Sequence, residues 1–110
     1  MKKILVLAIL LASKQSFSQS PDSIYFNLYT DSLKKGTYNY INVEGVFPGN
    51  RVLPLDSTQL VFSSSFGRFY RNTLWIPFDA PVEKVDITVS LRTRPAYVIR
   101  KTIYIKKKED

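Results

Sequence analysis

The chain contains no cysteine and no histidine, and only four glycines and one tryptophan. Without cysteine there is no thiolate to serve as nucleophile or zinc ligand, and no disulfide to staple a small domain. Without histidine, no side chain has an ordinary pKa near neutrality, so acid–base catalysis lacks its usual agent. Long apolar runs are missing too, apart from Ile4 to Ala12 near the N-terminus. At a rise of 1.5 Å per residue that run covers about 14 Å, whereas a membrane-crossing helix needs about 20 residues. Helical periodicity is also absent after residue 20, where the best candidate, Asp56 to Phe62, is too short.

What stands at the N-terminus has the layout of an export signal. Lys2 and Lys3 form a charged start, Ile4 to Ala12 an apolar stretch, and Ser16-Phe17-Ser18 before Gln19 a small-x-small cleavage pattern. The expectation is a cleaved signal peptide over residues 1–18, then one domain over residues 19–110. That places the product outside the cytoplasm, periplasmic or extracellular. No cysteine follows the cleavage site to carry a lipid and no second apolar run appears, so stable membrane insertion is not expected after cleavage. A domain of about 92 residues without disulfides must be held by a single hydrophobic core.

The formal charge of +7 falls to +4 once Lys2, Lys3 and Lys14 leave with the signal. Seven positives then crowd the C-terminal end: Arg92, Arg94, Arg100, Lys101, Lys106, Lys107 and Lys108. Such a cluster can meet an anionic partner, but lysines on an exposed strand edge are also a usual defence against aggregation. Export argues against nucleic acid as the partner.

Apolar residues recur with a period of two. Ile24, Phe26 and Leu28 alternate with Tyr25, Asn27 and Tyr29, which reads as a strand over Ser23 to Tyr29. Asp31 to Gly36 supplies turn residues, and a second strand follows from Thr37 to about Val46. There Ile41 and Val43 share one face, and Tyr38, Tyr40, Asn42 and Glu44 the other. Phe47-Pro48-Gly49-Asn50 is the strongest turn signal. Pro54 confines Arg51 to Leu55 to an edge or an irregular connector. Gln59 to Ser63 is a short strand. Arg68 to Ile76 reads as one strand, with Phe69, Arg71 and Thr73 opposing Tyr70, Asn72 and Leu74, and Trp75 is expected at the centre of the core. Val85, Ile87, Val89 and Leu91 against Asp86, Thr88, Ser90 and Arg92 is the cleanest alternation. In the last strand, Tyr97 to Lys106, Lys101 shares a phase with Ile99, Ile103 and Ile105. Either its stem snorkels from an edge or a bulge near Arg100 resets the phase, with the bulge slightly preferred.

About seven short strands separated by turns predict an all-β chain, an antiparallel immunoglobulin-like β-sandwich, with an OB-like barrel as the rival. The stretch Val85-Asp86-Ile87-Thr88-Val89-Ser90-Leu91, a loop, and Lys101-Thr102-Ile103-Tyr104-Ile105 resembles the last two strands of bacterial immunoglobulin-like domains. Trp75-Ile76-Pro77 resembles the segment before that hairpin. The resemblance implies a sandwich used for adhesion, spacing or assembly, with no catalytic residues to carry over.

Catalysis is not expected. Ser63-Ser64-Ser65 has no lysine placed to activate it, and the carboxylates Asp22, Asp31, Glu44, Asp56, Asp79, Glu83 and Asp86 lie mostly beside turns. Asp79, Glu83 and Asp86 match no calcium-loop spacing, so neither a metal site nor a cofactor is implied. The candidate binding surface is aromatic: Tyr25 and Tyr29 from the first strand and Tyr38 and Tyr40, with Asn42, from its neighbour. Rings on an open sheet face offer apolar area at small entropic cost. The first expectation is a non-enzymatic module that binds an envelope protein. The alternative is a carbohydrate-binding module using the same tyrosines.

Overall fold

The computed structural model describes residues 20–107; the expected signal peptide lies outside them. The described chain is all-β, in ten strands. These are β1 (Ser23–Phe26), β2 (Ser32–Leu33), β3 (Thr37–Tyr40), β4 (Val43–Phe47), β5 (Arg51–Leu55), β6 (Leu60–Ser64), β7 (Arg68–Tyr70), β8 (Thr73–Ile76), β9 (Lys84–Leu91) and β10 (Val98–Ile105). Three sheets result, in the orders β1-β4-β5, β2-β10-β9-β6 and β3-β8-β7. All pairings are antiparallel except β2 with β10. Among the described residues no helix is long and apolar enough to cross a membrane.

The first and third sheets run into one another, because β3 and β4 are two halves of one stretch interrupted only at Ile41 and Asn42. Two bonds close the seam on the far side. The Ile41 amide donates to the Asn72 carbonyl at 2.8 Å, and the Asn72 side-chain amide donates to the Leu55 carbonyl at 2.9 Å. Buried apolar residues from all three sheets meet in a single cluster, an arrangement compatible with a β-sandwich. Ile24, Ile41, Val43, Leu55, Leu74 and Ile76 come from one side. Leu33, Leu60, Val85, Ile87, Val89, Leu91, Ile103 and Ile105 come from the other. Each such side chain taken out of water stabilises the fold by about 1.5–3 kcal/mol before entropy is set against it.

Several expectations hold locally. In β9 Val85, Ile87, Val89 and Leu91 are all buried while Asp86 is exposed. Pro48-Gly49-Asn50 closes the β4–β5 hairpin, with φ of +82° at Gly49 and +60° at Asn50. Pro54 lies on β5, an edge strand where its missing donor costs no ladder bond.

Other expectations are corrected. Asp31 to Gly36 does more than turn the chain: Ser32 and Leu33 cross to the other sheet and pair in parallel with Tyr104 and Ile105. Arg68 to Ile76 is a hairpin, reversing at Arg71-Asn72, with φ of +55° at Arg71. Trp75 is therefore not the central core residue. Leu74 and Ile76 on either side of it are fully buried, and Trp75 stands half-buried on the opposite face. The preferred bulge near Arg100 is absent, since β10 keeps an unbroken register with β9 from Val98↔Ser90 to Tyr104↔Lys84. Lys101 keeps the inward phase and stays exposed, which the edge explains: β2 covers β10 only at Tyr104 and Ile105.

Candidate functional site: an aromatic sheet face

Residues directly opposite one another on neighbouring strands point to the same side of a sheet. Register therefore assembles the outer face opposite the core. One row runs Tyr38–Trp75–Arg68 across β3, β8 and β7, and the next runs Tyr40–Thr73–Tyr70. Farther along, Tyr25 of β1 lies opposite Glu44 of β4, which lies opposite Pro54 of β5. Tyr29 follows β1 and lays its ring on Tyr40, with centroids 5.9 Å apart and planes inclined by 29°. Tyr38 and Trp75 make a tilted pair at 5.1 Å and 51°. Aromatic pairs at these separations are worth about 0.5–1.5 kcal/mol beyond simple burial.

The rings are accessible in the free protein. Tyr29 is 72% exposed, Tyr70 64%, Tyr38 58%, Tyr40 47% and Tyr25 40%. Asn42 differs, being 1% exposed. Its amide donates to the Asn27 carbonyl at 3.0 Å and to Glu44 Oε1 at 3.2 Å, and its Oδ1 accepts the Tyr40 hydroxyl at 3.2 Å. Asn27 donates to the same Glu44 oxygen. Asn42 thus supports Tyr40 from beneath and has no surface to offer a ligand. Burial holds the Tyr40 phenol above its ordinary pKa, with the negative potentials of ionised Tyr29, Asp56 and Glu44 adding to the effect.

Two shallow depressions flank Tyr38. One, of about 710 Å³, lies between Tyr38, Trp75, Arg68, Tyr70 and the Phe66-Gly67 turn. The other, of about 280 Å³, lies toward Tyr29, Lys34 and Asn39. The Asn39 side chain is spent on backbone, accepting from the Lys34 amide at 2.8 Å and donating to the Leu74 carbonyl at 3.2 Å. Gly67 is obligatory at the rim of the larger depression: its φ is +86°, and a Cβ there would meet the Trp75 carbonyl oxygen at 2.6 Å. Among the described residues, the Arg68 side chain makes no hydrogen bond or ion pair, and no cluster of three acidic residues could hold a metal ion.

All four tyrosines singled out from the sequence stand on the surface. The sequence reading missed Trp75, Tyr70 and Arg68. Parity could have found them: Phe69 is apolar at an odd position, Leu74 and Ile76 at even ones, and a reversal between them, at the turn-prone Asn72, shifts the inward phase in this way. Comparison with family models, curated proteins and solved structures gives no match, so the face must be read from its own geometry.

Proposed function

We propose that the chain is an exported, non-enzymatic binding module of the cell envelope, built as an immunoglobulin-like β-sandwich, whose working surface is the aromatic sheet face. The strand order supports the immunoglobulin-like reading. The layer β1, β3/β4, β8, β7 opposite β6, β9, β10 resembles the A-B-E-D against C-F-G arrangement of that fold, with β5 beside β4 and β2 beside β10 as additions. The layout of residues 1–18 supports export.

Of the two ligand classes, a polysaccharide fits the face better than a protein. The buried core of a protein interface is more apolar than the surface around it. Here aliphatic side chains are absent from the two central rows, and the rings stand in separate pairs, with Thr73 between Tyr40 and Tyr70. Those two tyrosines lie two strand spacings apart, about 10 Å, roughly the length of two linked pyranose rings. The accessibility of the tyrosine rings in the free protein carries this reading, because a sugar stacks on a ring that is already bare. The combination of Tyr, Trp and Arg is also that of protein hot spots, which keeps an envelope protein as the second reading.

Affinity electrophoresis of the full chain through gels containing neutral or acidic polysaccharides tests the proposal. Retardation is expected for the wild type and should vanish in Tyr38→Ala/Tyr40→Ala. If no gel retards the wild type while a discrete envelope protein is captured by it and lost by the double variant, the protein reading replaces the polysaccharide one.

A further inference from the structure

The charge around Tyr38 has one sign. The larger depression contains Arg68 and the smaller contains Lys34, and neither has an acidic lining residue. Arg68 lies directly opposite Trp75 in the hairpin register and lines the larger depression together with the ring pair Tyr38–Trp75. Among the described residues it has no partner, although it belongs to a sheet face where Asn27, Asn42 and Glu44 are fully engaged with one another. An uncommitted guanidinium beside a stacking surface pairs a planar donor fork for a carboxylate with a platform for the ring that carries it.

We infer that the ligand is an acidic polysaccharide, with a sugar carboxylate held by Arg68 while its pyranose ring lies against Trp75 and Tyr38. This rests on the polysaccharide reading and goes beyond it by naming the charge of the sugar and the residue that reads it. Lys34, on the far side of Tyr38, gives the next acidic unit a second cation. The basic C-terminal end takes no part: Lys106 and Lys107 line a separate notch with Lys35 and Glu83.

The test uses the full chain and two oligosaccharides of equal length, an oligogalacturonate and its fully methyl-esterified form. The pair shares ring shape and differs in charge. Titration calorimetry should find the acid bound about tenfold more tightly than the ester, as expected for a charge-assisted hydrogen bond at a partly solvated site. Arg68→Gln should erase the difference, whereas Lys106→Gln/Lys107→Gln should leave it in place. Arg68 is exposed and unpartnered, so its replacement leaves the fold intact. Equal binding of acid and ester would overturn the inference and leave the polysaccharide reading standing. An acid preference that survives Arg68→Gln but disappears with the two lysines would overturn it in favour of unspecific attraction by the tail. Failure of both oligosaccharides to bind would overturn the inference, and the polysaccharide reading falls with it only if no polysaccharide gel retards the wild type.

Discussion

Leu74 and Trp75 are neighbours whose side chains leave β8 in opposite directions, and replacing each by alanine measures which way the sheet faces. Leu74 is 0% exposed within the shared core. Its truncation removes buried methyl groups and leaves a cavity between packed sheets, a loss of about 3–5 kcal/mol. Trp75 is larger, and a tryptophan in a core would cost about 3–5 kcal/mol by the same substitution. On the outer face it loses the contact with Tyr38, about 0.5–1.5 kcal/mol, and a fraction of its own burial. The expected cost of Trp75→Ala is therefore about 1–2 kcal/mol, below that of Leu74→Ala. Urea unfolding followed by far-ultraviolet circular dichroism measures both, since the second variant has no tryptophan to report by fluorescence. The comparison requires equal m-values, so that the shift in midpoint reads stability alone. Each kcal/mol should also move the melting temperature by about 4–8 °C in a domain of this size. If Trp75→Ala costs as much as Leu74→Ala, the indole is a core residue, the β7–β8 register is wrong, and the aromatic face loses its central ring.

Glycine substitutions give a second contrast. Gly67→Ala combines a left-handed backbone with a clash against the Trp75 carbonyl and should cost more than about 2 kcal/mol, whereas Gly49→Ala, left-handed in open space, should cost about 1 kcal/mol; urea midpoints decide between them. Asp56 supplies a pH-dependent prediction. Its carboxylate accepts from the Thr58 hydroxyl and from the Thr58 amide at 2.9 Å, which lowers its pKa, the hydroxyl contributing most. A carboxyl with a lowered folded pKa contributes stability that is fully present above about pH 4, its unfolded value, and is lost as pH falls through the folded one. Thr58→Val should raise the Asp56 pKa toward the ordinary carboxylate value in a titration followed by nuclear magnetic resonance, and should flatten the acid limb of the stability curve.

Legibility from sequence depended on how much of the fold each residue had to know about. The alternation of β9 is legible because both faces of that strand have one environment along its whole length: core on one side, solvent on the other. The Pro48-Gly49-Asn50 turn is legible because backbone sterics settle it locally. The 68–76 hairpin was missed because a two-residue reversal carries no glycine or proline; Arg71 adopts positive φ at a cost that the flanking pairs offset. The same miss misplaced Trp75 and hid Tyr70 and Arg68, so half of the candidate face was lost with one turn. Asn42 reads as a polar surface residue by its parity, and only the proximity of Asn27 and Glu44 shows that its polar atoms are satisfied from within. Lys101 disturbs the alternation of β10 because an edge strand lets an inward-phased stem escape to water, a circumstance set by how far the two-residue strand β2 extends.

The segment from Ser20 to Ile24 is stitched to the loop before β10 by groups 73 positions along the chain. The Ser20 hydroxyl meets that of Thr93, the Pro21 carbonyl accepts from Arg94, and the Ile24 amide donates to the Tyr97 hydroxyl. The β2–β10 pair adds a clasp of the same reach, with the Lys106 amide on the Leu33 carbonyl. The beginning of the domain therefore finds β4 early but completes its contacts only when its end has been made. Local pairs such as β4–β5 and β7–β8 form first, and the contacts that span the chain must pay their loop-closure entropy in a later step, which puts it among the slow-folding, high-contact-order domains. Until that step the apolar strands remain open to other chains, and Lys101 on the uncovered edge of β10 is a guard for that interval as much as for the finished fold.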